Sequence, residues 1–405
     1  MSEKRHFPAL YVREFRLFWF AQIVSLSGTW MHSTAQGWLV YSLTKSPLYL
    51  GLIAFLSYLP IFFFTLIGGM IADRFNRRNT LLFTQGLSII PAFVIALLTD
   101  IKVIEIWHIG LLAFIFGLIN SIDIPVRQSF FTELVGKDEI TNAIALNSTI
   151  FNLARITGPL LAGFIIQYYG ITTCFYINAI SFIPVLIVLC LINIPPNYNA
   201  QTDRGLKSFK EGWNFVFGNK AIFFALLMIA IFSLFAIPYI NLMPVIADGV
   251  FKKGVKGLSI LMASVGLGSF IGAIIIAFAK DFSRKDLFIP LSAIIFSSSL
   301  FIISFSDNFF LTLITMIMSG WGLVTFLALC NGFIQESVSN ELRGRVVSFY
   351  VFVFLGISPI GNLIIGFCAN ILGTMEALRL FSSVVLLTTL MFAIIFRRHL
   401  ENISP

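Results

Sequence analysis

The sequence predicts an all-α integral membrane protein of twelve transmembrane helices arranged as two pseudo-symmetric six-helix halves. Hydrophobic residues make up 58% of the 405 and charged residues 11%, too little polar surface to coat a soluble chain of this length. Apolar stretches of about 20 residues, enough to cross a hydrocarbon core, recur with short polar connections. The chain also matches itself when shifted by 203 positions, which lays Gly117 on Gly320, Glu133 on Glu336, Gly158 on Gly361, Gly163 on Gly366 and Gly170 on Gly373.

The first span, 15–42, follows a polar and basic start that does not read as a cleavable signal, so the amino terminus is expected to stay cytoplasmic. The span carries Thr29, His32, Ser33 and Gln36 at spacings that put them on one helical face. Polar groups inside a membrane are costly and read as functional, here as the lining of a water-filled path or as a hydrogen-bond patch between helices. Spans two and three, 48–72 and 80–99, are joined by the basic turn around Asp73, Arg74, Arg77 and Arg78. Spans four and five, 107–127 and 142–167, carry Asp123, Arg127 and Arg155; Asp123 and Arg127 are spaced to pair along one helix. Arg155 needs a counter-charge or a watery cavity, either as part of an ion pair or as a contact for an anionic substrate. Small residues at Ala154, Gly158, Ala162 and Gly163, with Pro159 among them, let helix backbones approach closely and favour a kink.

Span six, 173–192, completes a first half of residues 1–192. Residues 193–219, with two prolines, basic side chains and Phe209, Trp213 and Phe217, read as a cytoplasmic linker with a short amphipathic helix. The second half, 220–405, contains spans at 220–246, 258–279, 287–305, 309–332, 346–371 and 375–396. With both termini inside, most of the 27 Lys and Arg fall on the cytoplasmic face, and the net charge of +8 follows from membrane orientation, with no call for a nucleic-acid partner. Cys174, Cys190, Cys330 and Cys368 all lie in apolar spans and read as small core residues, not as a disulfide framework or metal site. No phosphate-binding glycine loop or Gly-x-Ser-x-Gly elbow occurs, so neither an enzyme nor a cofactor is expected.

The turn from Gly69 to Arg78 resembles the loop signature between helices two and three of the major facilitator superfamily, and the resemblance extends over the whole chain. Its second-half counterpart, around Lys280 to Lys285, is degenerate. The resemblance implies alternating access between two halves, with Asp73 holding the start of helix eleven and Arg77 or Arg78 pairing with Asp123 to close the cytoplasmic side. The segment Ala154–Gly163 is similar to the helix-five motif of exporters in that superfamily, with alanine in place of glycine at 154 and 162. The text from Asp123 to Asn147 resembles the branch that contains macrolide efflux proteins and the enterobactin exporter, without the helix-four arginine pattern of other drug antiporters.

Aromatic residues make up 15% of the chain and suit a greasy pocket for lipophilic cargo. The expected function is export of a small amphipathic molecule of drug or siderophore type, in exchange for protons, from a monomer in a bacterial inner membrane whose lipids are its surroundings. The alternatives are a lipid or lysolipid flippase of the same fold and a non-transporting scaffold.

Overall fold

The computed structural model describes residues 7–136, 139–192, 215–278, 285–338 and 340–401, and all regular structure among them is helical. In chain order the helices are α1 (Arg13–Thr44), α2 (Pro47–Arg74), α3 (Arg77–Asp100), α4 (Ile106–Glu133), α5 (Ile140–Tyr169), α6 (Ile171–Ser181) and α7 (Ile183–Leu191). Then follow α8 (Lys220–Ile231), α9 (Gly254–Phe278), α10 (Lys285–Ile303), α11 (Phe309–Glu336), α12 (Asn340–Gly356), α13 (Ser358–Leu372) and α14 (Thr374–Glu401). Among the described residues 11 helical segments are long and apolar enough to cross a membrane. The first helix is not among them. At 32 residues it is about 48 Å long, ample for a crossing, but its Ser, Thr, Gln and His residues hold its apolarity down.

Three predicted spans are broken. The sixth divides into α6 and α7 at Phe182, two residues before Pro184, and the eleventh into α12 and α13 at Ile357, two residues before Pro359. The seventh, expected as one plain span, runs from α8 into a π-helical turn at Phe232–Ala236, a 3-10 segment at Ile237–Leu242, three α-helical residues and a second π turn at Ile246–Val250. Pro238 and Pro244 supply no N–H to the ladder, and the chain re-spaces its hydrogen bonds around them. The predicted amphipathic linker helix lies for the most part outside the described residues.

The chain divides into two compact units: Met1–Val40 with Leu59–Gln201, and Tyr41–Tyr58 with Thr202–Pro405. Lipid offers no hydrophobic drive between helices, so close packing of small residues must do that work. In unit 1, a Cβ at Gly68 would lie 2.1 Å from the Ser121 carbonyl oxygen, and one at Gly28 2.3 Å from Ser181 Oγ. These glycines set the α2–α4 and α1–α6 contacts. Phe15, Phe18, Phe130 and Phe131 fill the space between α1 and α4, with ring centroids 5.0 to 5.8 Å apart. In unit 2, Gly268 and Gly320 seat α9 on α11, and Phe232 meets Phe296 edgewise and Phe326 at a tilt, each at 4.9 Å.

Within unit 2 the start of α2 lies along α13. A Cβ at Gly51 would fall 2.4 Å from the Asn362 carbonyl oxygen and 2.9 Å from Gly366 Cα. Beside this contact Ser46 Oγ donates to Asn370 Oδ1 at 2.9 Å, and Lys45 Nζ pairs with Asp248 at 3.2 Å. Of the four cysteines, Cys174 and Cys330 are buried as expected of core residues, but Cys368 is half-buried and Cys190 is exposed.

Candidate functional site: polar groups of the spanning helices

The turn between α2 and α3 is built as a helix junction. Asn76 caps α3, its side chain accepting from the Asn79 N–H at 3.0 Å. Arg77 Nε donates to the Ala72 carbonyl at 3.1 Å, satisfying an end of α2, and its NH1 pairs with Glu133 at the end of α4 at 3.0 Å. Arg78 donates to the carbonyls of Leu189 and Cys190, where a cation is favoured at the C-terminus of α7. Neither arginine pairs with Asp123, which corrects the sequence-based expectation. The reason is depth: Asp123 lies ten residues before Glu133, about 15 Å further along α4. Asp73 and Arg74 are exposed at the end of α2, and Gly69 has open space where a Cβ would stand.

Asp123 is the one buried carboxylate among the described residues. It accepts from Thr84 Oγ1 and Gln85 Nε2, both at 2.8 Å, and pairs along its own helix with Arg127 at 3.4 Å. Arg127 in turn donates to Gln22 Oε1 of α1 at 3.3 Å. The network ties α1, α3 and α4 together, as a buried charge requires. Gln22 Nε2 and Gln85 Oε1 are buried at its two ends without a hydrogen-bond partner.

The polar face predicted on α1 divides. His32 is buried between Phe116 and Phe175, with ring centroids 5.3 and 5.0 Å away, and its Nε2 lies 3.2 Å from Gln36 Oε1. Thr29 donates back to the Ser25 carbonyl at 2.9 Å, while Ser33 is exposed. In α5, Gly158 brings the helix onto α1: a Cβ there would lie 2.4 Å from Trp30 Cβ and 2.8 Å from the Met31 nitrogen. Ala154, Pro159, Ala162 and Gly163 are buried on the same helix. One turn from Gly158, the Arg155 guanidinium lies over the Trp30 ring at 5.7 Å, and Phe151 meets that ring edgewise at 5.6 Å.

Unit 2 repeats several of these features. Glu336, the counterpart of Glu133, pairs with Lys285. Gly361, the counterpart of Gly158, would place a Cβ 2.5 Å from the Leu234 carbonyl oxygen. Gly170 and Gly373 both end their helices with positive φ, at 87° and 100°. Polar contacts link Asn241 to Asn362 at 2.8 Å and Tyr239 to Ser319 at 3.2 Å, all near the irregular stretch after α8. An open groove between α8 and α12, lined by Phe217, Phe223, Leu226, Phe349 and Val353, is wholly apolar and offers nothing to orient a ligand. Among the described residues there is no cluster of three metal-ligating side chains.

A family model described as transmembrane secretion effector matches residues 6–403, nearly the whole chain. The chain belongs to that family of the major facilitator superfamily. The solved structures it resembles share the fold: a nucleoside transporter, with a TM-score of 0.73 at 14% identity over 94% of this chain and 98% of that one, and a bacterial homologue of the human lysosomal transporter Spinster, at 0.72 and 13% over 96% and 98%. The staphyloferrin A transporter of Staphylococcus aureus is 24% identical over 95% of this chain and 96% of its own length. Macrolide efflux protein A of Streptococcus pyogenes is 20% identical over 89% and 90%, and the enterobactin exporter of Shigella flexneri 23% over 78% and 72%. The chain is therefore a multi-pass membrane transporter, and the relatives it matches are named as transporters.

Proposed function

We propose that this transporter exports a small amphipathic molecule of siderophore or drug type across a bacterial inner membrane, by alternating access and in exchange for protons, with both termini cytoplasmic. The observation that carries the reading is the helix-five contact: Gly158 lies against the backbone of α1 beside Trp30 and Arg155, and Gly361 repeats the contact in unit 2. Small residues at such a crossing let helix backbones approach closely, and the segment is similar to the helix-five motif of exporters in the superfamily. The names of the relatives support export, since they include an enterobactin exporter and a macrolide efflux protein beside a staphyloferrin A transporter. The repeat across the whole chain supports alternating access over a fixed pore. A described chain that is almost entirely spanning helix leaves a scaffold little to hold.

Everted inner-membrane vesicles containing the protein provide the test. Energised vesicles are expected to take up a siderophore or macrolide and to lose that uptake when the pH gradient is collapsed. Flipping of a fluorescent lysolipid that ignores the pH gradient, with no uptake of either compound, would replace export by the flippase reading.

A further inference from the structure

Resting on the export reading, we infer that the Trp30–Arg155 pair selects acidic over cationic cargo, receiving an anionic group on the guanidinium and a flat apolar or aromatic portion on the indole. The pair is half-buried at the edge of the unit 1 core, with exposed residues beside it on both helices. Ser148, Phe151 and Arg155 follow one another at helical spacing on α5, and Trp30 and Ser33 do so on α1; Ser33, Ser148 and Phe151 are exposed and the other two half-buried. A face carrying two hydroxyls and a guanidinium is costly against lipid tails, so it borders water.

Its chemistry is directional. Arginine keeps its charge at every physiological pH, presents a planar fork matched to a carboxylate or a catecholate, and stacks on aromatic faces. The indole 5.7 Å from the guanidinium carbon orients that fork and offers a second surface, extended by the edge of Phe151. A cationic cargo would look instead for a carboxylate. The one buried carboxylate among the described residues, Asp123, is engaged by Thr84, Gln85 and Arg127.

Equilibrium binding to the purified full-length protein in detergent, measured by calorimetry, tests the inference with matched probes: a catecholate siderophore and its O-methylated neutral analogue, a carboxylate siderophore and its methyl ester, and a cationic dye. The wild type is expected to favour each acid over its neutral analogue by about tenfold or more, the worth of a charge-assisted hydrogen bond. Arg155→Gln should abolish that preference while leaving the neutral analogues unchanged, Arg155→Lys should retain part of it, and Trp30→Leu should weaken acids and neutral analogues together. Equal binding of acid and neutral analogue by the wild type overturns the inference whether or not any variant folds. So does a Gln variant that weakens both equally. Because binding is read without a membrane, acid-selective binding by a protein that transports nothing would refute export and leave this inference standing. Transport of the dye without acid binding would do the reverse.

Discussion

Gly158→Ala measures how tightly α5 is seated on α1. The added methyl carbon would stand 2.4 Å from Trp30 Cβ, 2.8 Å from the Met31 nitrogen and 3.0 Å from the Ser27 oxygen. Ordinary carbon contacts lie at about 3.5 to 4.0 Å, so α5 must withdraw by roughly 1 Å or more. Two of the three obstacles are backbone atoms, which cannot rotate away. Overpacking of this kind costs about 1–3 kcal/mol. Alanine also has a higher helix propensity than glycine, by about 1 kcal/mol, which would mask part of the loss. Gly69→Ala supplies the correction, because it gains the same propensity where a Cβ meets nothing within 4 Å. The difference between the two variants isolates the steric term, about 1–3 kcal/mol. Reversible unfolding of the purified protein in detergent, by denaturant titration, reads that difference. Gly361→Ala should lose as much as Gly158→Ala, since its methyl would lie 2.5 and 2.7 Å from two carbonyl oxygens. Equal stability of Gly158→Ala and Gly69→Ala would refute the close seating.

The Arg77–Glu133 pair, whose side chains are 27% and 16% exposed, should show a larger coupling in a double-mutant cycle on stability than Lys285–Glu336, at 22% and 70%; equal couplings would contradict the packing described. Asp123→Ala should cost up to about 3–5 kcal/mol by leaving the half-buried Arg127 without its carboxylate, and Arg127→Met in that background should recover part of the loss, both read by denaturant titration. For Lys45–Asp248, with side chains 61% and 32% exposed, the same cycle should give less than about 1 kcal/mol and shrink as salt is raised; a salt-independent coupling would mean that the pair is sealed from solvent.

The repeat was legible because its marks are backbone requirements. Gly170 and Gly373 end helices with positive φ, and Gly158 and Gly361 sit where a side chain has no room, so neither pair can drift far in sequence. Glu133 and Glu336 were legible as repeat counterparts, but not their partners: the base comes from Arg77 in one case and from the non-equivalent Lys285 in the other. Helix rotation was far less legible. These helices are apolar nearly all round, so the sequence does not say which side faces a neighbour. That is why Gly68, not Gly69, makes the tight contact, and why His32 turned inward between two phenylalanines while Ser33 stayed open. Two partners were also hidden by distance along the chain. Lys45 and Asp248 are repeat counterparts of opposite charge that meet each other, and a shift of 203 shows the positions without showing the contact. The π turns around Pro238 and Pro244 had a sequence signal in the prolines themselves, which a plain hydropathy reading of the seventh span passed over.

Proton movement driven by cargo is the most direct test of the proposed function. Purified protein is reconstituted in liposomes loaded with a pH dye, with no imposed gradient, and a catecholate or carboxylate siderophore is added to one side. Exchange predicts a change of internal pH that begins with cargo addition, scales with its concentration and is absent from protein-free liposomes. Cargo entry at a constant internal pH would contradict proton exchange, and neither cargo entry nor proton flux from folded protein would contradict siderophore export itself.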